Sequence, residues 1–453
     1  MITIEAAIAA TRFGLGPRTG EMAAIISPEK WLLAQLSNDR QEEPSLKGLP
    51  RTQTIVSEYL STFGGEKRSR RREPTSEQRQ ALQKKLAAIY RREASARFHA
   101  GLETKNPFRE RLVHFWSDHF TVSITKPILS GFVGAFEREA IRPHVTGRFE
   151  DLLMAACRHP AMILYLDNHT SIGPNSPAGR RGNRGLNENL AREILELHTL
   201  GVNGGYRQKD VTNFAKVLTG WTFTGPDSRF GGKVGEFQFV WQLHEPGSHR
   251  ILGKSYRENG INQPAKVLRD IANHPSTARH IALKMARYFI ADDPGKGVVG
   301  RLEEAFLESR GDLRHVTETL VRSPEAWAPE QKKFKQPFEY ILSTLRAVPA
   351  VEVEDDKILG VLSLMGQRTF SAPSPAGWPD ETLFWASPDG IMRRVEWSNA
   401  LSHRLRKLPS YEDLIAESLG PLASEKLKKV ASRAENRRQA LALVFASPEF
   451  MRR

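Results

Sequence analysis

The twelve residues Asn187 to His198 read N-E-N-L-A-R-E-I-L-E-L-H and carry more chemistry than any comparable stretch of the chain. At about 100° per residue, a helix here sets Asn189, Arg192, Glu193 and Glu196 on one face and Asn187 and His198 nearly opposite, with Ala191 and Ile194 between them. Two carboxylates three residues apart, with an arginine just before the first, can form an ion-pair network, a cation site or an acid/base pair of tuned pKa. The ordinary alternative is a solvated face with Glu–Arg pairs of little energetic weight. The surroundings favour chemistry. A long loop, NHTSIGPNSPAGRRGNRG, precedes the helix, and Gly201 with Gly204-Gly205 follows it, suited to a tight exit after His198.

Two further segments add reactive groups. FRERLVHFWSDHF supplies Arg109, Arg111, His114, Trp116, Asp118 and His119, with His114 and Asp118 at i, i+4 on one helical face. WQLHEPGSHRILG supplies His244, Glu245 and His249 near a turn. The residues expected to act in catalysis are His119, Asn187, Glu188, Arg192, Glu193, Glu196, His198 and His244. Arg109, Arg111, Trp116, Asn189, Asp210, Trp221 and Trp378 are expected to bind substrate, the last two as apolar walls. A divalent metal ion could draw on His114, Asp118, Glu193 and His244, although no HExxH motif or EF-hand loop is present.

Helices must position these groups, because 3.6-residue periodicity dominates the chain. Thr75 with Gln78 forms a capping-box pattern opening a helix from about 76 to 103. Asn106-Pro107 and Ser27-Pro28 open two more. Further helices are expected over about 129–142, 147–157, 186–200, 208–219, 262–273, 276–290, 298–309, 311–322, 334–347, 391–407 and 434–447. Strand-like alternation is confined to EFQFVWQ, where Phe237, Phe239 and Trp241 alternate with polar residues. The expected fold is mainly α: a multi-helix orthogonal bundle with a small β-hairpin or short sheet near 221–253. It reads as a single large helical domain over 1–453, with an N-terminal helical subdomain at 1–105 and a C-terminal helical part at 260–453. Residues 65–74 and 168–185 read as loops, and SAPSPAGWPDETLFW at 371–385 reads as the rim or lid of a pocket.

Bulk properties narrow the function. A hydrophobic fraction of 40% is enough for a packed core. No apolar run is long enough to span a bilayer, and the N-terminus lacks the pattern of a signal peptide, so cytoplasmic residence is the default expectation. Cys157 is the single cysteine, in an apolar helical context that suits an inert core thiol. The net charge of +14 is concentrated: residues 67–111 hold 14 Lys and Arg against five Glu, a local +9. Such a stretch suits an anionic polymer or an acidic partner, but no nucleic-acid module accompanies it. P-loop, nucleophile-elbow and dinucleotide fingerprints are absent, which excludes the corresponding enzyme classes.

Several segments carry a resemblance: AATRFGLGPRTGE, RERLVHFWSDHFTVS, HPAMILYLDN, NENLAREILELHTLGVNGGYRQKDVTNFAKVLTGWTF, HEPGSHRILGKSY, HPSTARHIALKMARYFI, KFKQPFEYILSTLRA and MGQRTFSAPSPAGWPD. Over nearly its whole length the chain resembles a bacterial family catalogued as domain of unknown function eighteen-hundred. The family pattern in the first aromatic helix is nearer FWHNHF, where this chain has Ser117, Asp118 and His119. Glu245 stands for a usual Asp, and His249 for a usual Lys. The resemblance implies no reaction. It implies a partner protein similar to phosphatases and sulfatases, and with it a route to the periplasm by co-export.

Two main readings follow. In the first, the chain is a hydrolase or transferase acting through a Glu/His/Arg site on a polar, anionic substrate such as a polysaccharide. In the second, it is a non-catalytic partner or escort subunit, or a basic-surface binding protein. Both assume that the charged helix turns inward, toward the aromatic and histidine segments.

Overall fold

The computed structural model describes residues 2–37, 43–63, 75–182, 185–225, 230–348 and 354–453, with the side chains of 59–63 left undescribed. The expected 65–74 loop, and with it the densest part of the basic stretch, falls outside these residues.

Helices build the molecule as the periodicity predicts. Thr75 and Gln78 close the capping box in both directions, at 3.0 and 3.2 Å, and start the long helix Ser76–Glu103. The helix Pro107–His119 begins at its proline, but Asn106 makes no side-chain cap. The orphan N–H of Phe108 is instead taken by the Gln35 side chain at 2.8 Å, so a distant segment satisfies what the local sequence does not. Phe149–Arg158, Gln208–Leu218, Asn262–Ala272, Pro275–Phe289, Leu313–Arg322 and Pro337–Arg346 all lie where apolar spacing puts them. The segment 129–142 is less regular than expected: it divides into a 3-10 turn, the short helix Val133–Phe136 and the π-helical Glu137–Ile141.

Strands among the described residues are confined to two small antiparallel pairs. β1 (Trp221–Phe223) pairs with β2 (Phe237–Phe239), and β3 (His249–Ile251) pairs with β4 (Lys254–Tyr256). The alternation in EFQFVWQ ends one step early, because Trp241 enters a 3-10 turn, Trp241–Leu243.

Among the described residues two large apolar cores hold most of these elements. The larger draws on Phe108, Leu112, Phe115, Trp116 and Phe120 together with Phe149, Phe214, Trp221 and Phe289. The second gathers Phe338, Tyr340, Ile341, Trp385, Trp397, Leu441 and Phe445 around Leu15 and Phe98. Charged residues are buried at the seam between them, each with partners. Glu339 accepts from Arg111 and from Arg453, the latter at 3.0 Å, and Arg453 also reaches the Tyr288 carbonyl at 2.8 Å. Burial alone would raise the Glu339 pKa, but Arg453 and Arg111 outweigh it and hold the carboxyl well below its usual range.

Among the described residues no helix is long and apolar enough to cross a membrane.

Candidate functional site

The charged helix does not turn inward. It runs as Asn189–Glu193 and continues as the π-helical Ile194–Thr199, burying Leu190, Ala191, Ile194 and Leu195. Its charged groups stay at the surface. Arg192, with its side chain 40% exposed, pairs with Glu188 at 3.1 Å, and Glu188 also accepts from Thr212 at 2.7 Å and Gln208 at 2.8 Å. Glu193 is half-buried, and burial followed by the neighbouring Glu196 raises its pKa. Glu196 accepts from the Tyr206 hydroxyl at 3.3 Å. Asn187 lines only a shallow depression with Glu188 and Asn189.

His198, on the opposite side of this helix, is fully buried among aromatic rings with His119 and His280. His119 Nε2 lies 3.0 Å from the His198 carbonyl, and His280 Nε2 lies 3.0 Å from the Leu197 carbonyl. Each ring must donate there, because a carbonyl only accepts. The two histidines therefore close the end of the π-helical turn. Burial pushes His198 down to about 3 and His280 to about 4, with Lys284 adding to both, so these rings stay neutral.

The remaining expected residues scatter. Arg109 donates to the Ser37 carbonyl and the Thr146 hydroxyl. Arg111 is spent on Glu339 and the Gly14 carbonyl. Trp116 and Trp221 are fully buried and offer no wall, Trp221 being covered by the Arg158 guanidinium 5.1 Å from its ring centre. Asp210 is structural: it accepts from the backbone of Arg207 and of Leu252, each at 2.8 Å. His244 sits in a separate surface groove.

What does converge is a narrow cleft along the seam between the two cores. His114, Asp118, Tyr288, Gln336, Gln367 and Trp378 all border it. It encloses about 40 Å3, room for a few waters or one small substituent. Asp118 sits one helical turn beyond His114 on Pro107–His119. Its carboxylate accepts the Trp378 backbone N–H at 2.8 Å. Gly377 lets that loop approach, since a Cβ there would stand 2.6 Å from the Asp118 carbonyl oxygen.

Asp118 is the perturbed group of the cleft. Burial and then the nearby carboxyl of Asp380 push its pKa up to about 7, against the pull of the Trp378 N–H and of Lys284 and Arg97. Asp380 is itself raised by burial, opposed by Lys284 and Lys333. His114 is lowered by burial and stays neutral, 3.5 Å from Glu110. Glu110 is in turn held by Arg142, which bridges it to Glu137, and Arg97 pairs with Glu137 at 2.7 Å. Lys335, buried near Arg111 and Arg453, falls to about 7. Chemically, the cleft offers a carboxyl that is partly protonated near neutral pH, the Glu339 carboxylate, the Arg97 guanidinium and an indole, with Asp380 and Lys284 acting on Asp118 from beside it.

Of the four metal candidates, His114 and Asp118 share the cleft, whereas Glu193 and His244 lie elsewhere. No three ligating side chains among the described residues are placed to hold a metal ion.

Sequence reasoning missed Asp380, Lys284, Glu339 and Gln336. A signal existed for two of them: Asp380 ends the segment SAPSPAGWPD, and Lys284 follows His280 by one helical turn. Comparison with curated proteins and with solved structures finds no match. A family model described as "Protein of unknown function (DUF1800)" matches residues 8–452, and the chain belongs to that family.

Proposed function

We propose that the chain is an enzyme, a hydrolase or transferase, whose acid/base group is Asp118 in the seam cleft. One observation carries this reading: Asp118 borders a cleft and is pushed up to about 7 by burial and by the carboxyl of Asp380, the condition under which a carboxyl can give and take a proton near neutral pH. Asp118 would give or take the proton and Asp380 with Lys284 would balance the charge that develops. Trp378 would bound the substrate. A cleft this small admits a terminal group of a polar substrate and leaves the rest of it outside.

The reading is tested with neutral and acidic oligosaccharides and with sulfate and phosphate esters. Asp118→Asn keeps an acceptor for the Trp378 N–H but cannot exchange the proton, so it should fold normally and lose about 10²- to 10⁴-fold in turnover. In the unaltered chain the rate should fall above about pH 7, as the acid form is lost. Carboxyl-carbon NMR should show one aspartate titrating near 7. A variant as active as the parent, or an Asp118 that titrates in the ordinary carboxylate range, overturns the assignment.

A second reading, that of a partner or escort subunit, is favoured by an apolar strip beside the cleft loop. Leu383, at 88%, and Phe384 and Met392, at 51% and 56%, are exposed there together with Ile391 and Val395. Large exposed apolar groups in one place mark interaction faces. On this reading the partner would resemble phosphatases or sulfatases, and the chain would reach the periplasm with it. Co-expression with such a protein should give a stable complex that Leu383→Ser with Met392→Ser breaks.

A further inference from the structure

A second opening lies away from the seam, at the junction of the loop 173–181 with the turn after β2. It holds about 500 Å3, within the roughly 300–1,000 Å3 typical of small-molecule sites. Its borders include Trp241, Phe239, His244, Glu258, Arg180 and Arg181.

The groove is built, not incidental. The Gly173 and Ala178 N–H groups donate to the Leu243 and Gln242 carbonyls at 2.9 and 3.0 Å, clamping the loop to the Trp241 turn. Asn175 adds two bonds to the buried Glu245, from its backbone N–H at 2.8 Å and its side-chain amide at 2.6 Å. Only glycine fits at 173, since a Cβ there would stand 2.5 Å from the Glu245 backbone.

The floor of the groove carries a histidine–carboxylate pair. His244 Nδ1 lies 2.8 Å from the Thr219 carbonyl and must donate to it, which turns Nε2 toward Glu258. Nε2 is buried without a hydrogen-bond partner and stands 3.3 Å from Glu258 Oε1. Glu258 is pinned in turn by the N–H groups of Gly247 and Gly260, each at 3.0 Å. The Glu258 side chain is 40% exposed to the groove and keeps acceptor capacity there, to which a ligand hydroxyl can donate.

The rim adds two further requirements. Trp241 is 62% exposed, an indole face left to water. Arg180 and Arg181 are exposed and have no ion-pair partner among the described residues. A flat apolar face, a carboxylate that accepts from a hydroxyl and two guanidinium groups without an ion pair among the described residues together match a sugar ring bearing an acidic substituent. The ring's C–H face packs on Trp241, a hydroxyl donates to the Glu258 carboxylate, and a carboxylate or sulfate meets the arginines as a charge-assisted pair.

We propose that this groove is a binding site for acidic oligosaccharide. It uses none of the residues of the Asp118 cleft, so it stands whether or not that cleft is catalytic.

The test is calorimetric titration of the full chain with a galacturonic acid tetramer and with the neutral galactose tetramer. The acidic tetramer should bind more tightly, and its affinity should fall as salt is raised. Trp241→Ala should lower that affinity about tenfold or more while leaving the melting temperature unchanged, because the indole is exposed. Arg180→Gln with Arg181→Gln should remove the preference for the acidic tetramer, and Asp118→Asn should bind as the parent does. No binding of the acidic tetramer, equal binding of the two, or a Trp241→Ala variant that binds like the parent would each overturn the proposal.

Discussion

Asp118 shows how a single carboxyl acquires function from its surroundings. Its folded pKa near 7 lies above the ordinary aspartate value of 3.8, so the native state holds a proton that the unfolded chain has already released. The sign follows: no penalty exists below about pH 4, and stability drops as pH rises toward about 7. Asp118→Asn removes that loss. Thermal melts should show the variant gaining on the parent between about pH 4 and pH 7, and a constant difference across that range would contradict the raised pKa. The reactive character of Asp118 was half legible: its i, i+4 relation to His114 is written in the sequence, whereas Trp378 and Asp380 lie some 260 positions away and arrive by folding. The opposite happened to Arg192 and Glu193. Their types and spacing promised a site, yet the buried stripe of Leu190, Ile194 and Leu195 faces the core and leaves them at the surface.

At the level of secondary structure, helix positions followed from apolar period and capping chemistry, and the Thr75 box is a direct instance. Helix ends were harder to read, because their orphan groups are satisfied by whatever packs nearby. Gln35 does this for Phe108, and His119 and His280 do it for the π-helical end at Leu197 and His198. Removing one such donor has a calculable effect. His280→Ala leaves the Leu197 carbonyl unpaired in a half-buried place and should cost about 1–3 kcal/mol in urea unfolding. A cost near zero would mean that water replaces the ring without loss. Gly201, at φ +80°, permits the exit; a Cβ there would stand 2.9 Å from the His280 ring.

For the molecule as a whole, the seam is both a weakness and a device. Two apolar cores meet over buried charges that neither can solvate, so each charge needs its partner. Glu339→Gln leaves Arg111 and Arg453 without their shared carboxylate and should lower unfolding free energy by about 3–5 kcal/mol. Breaking the exposed Arg393–Asp389 pair with Asp389→Asn should leave stability nearly unchanged, which calibrates the measurement. The same pairing consumes part of the basic stretch: Arg97 and Arg111 face inward to Glu137 and Glu339, so the local charge overstates the surface charge.

The amino-acid order alone settled the helical class, most helix positions, the inert setting of Cys157 and the family, because these depend on local period, capping and shared motifs. The placement of His114 and Asp118 against Trp378 and Asp380, and the outward turn of the charged helix, were settled by three-dimensional packing. Which face of a helix is buried depends on the neighbours that cover it, and a carboxyl's pKa depends on charges brought close from remote parts of the chain.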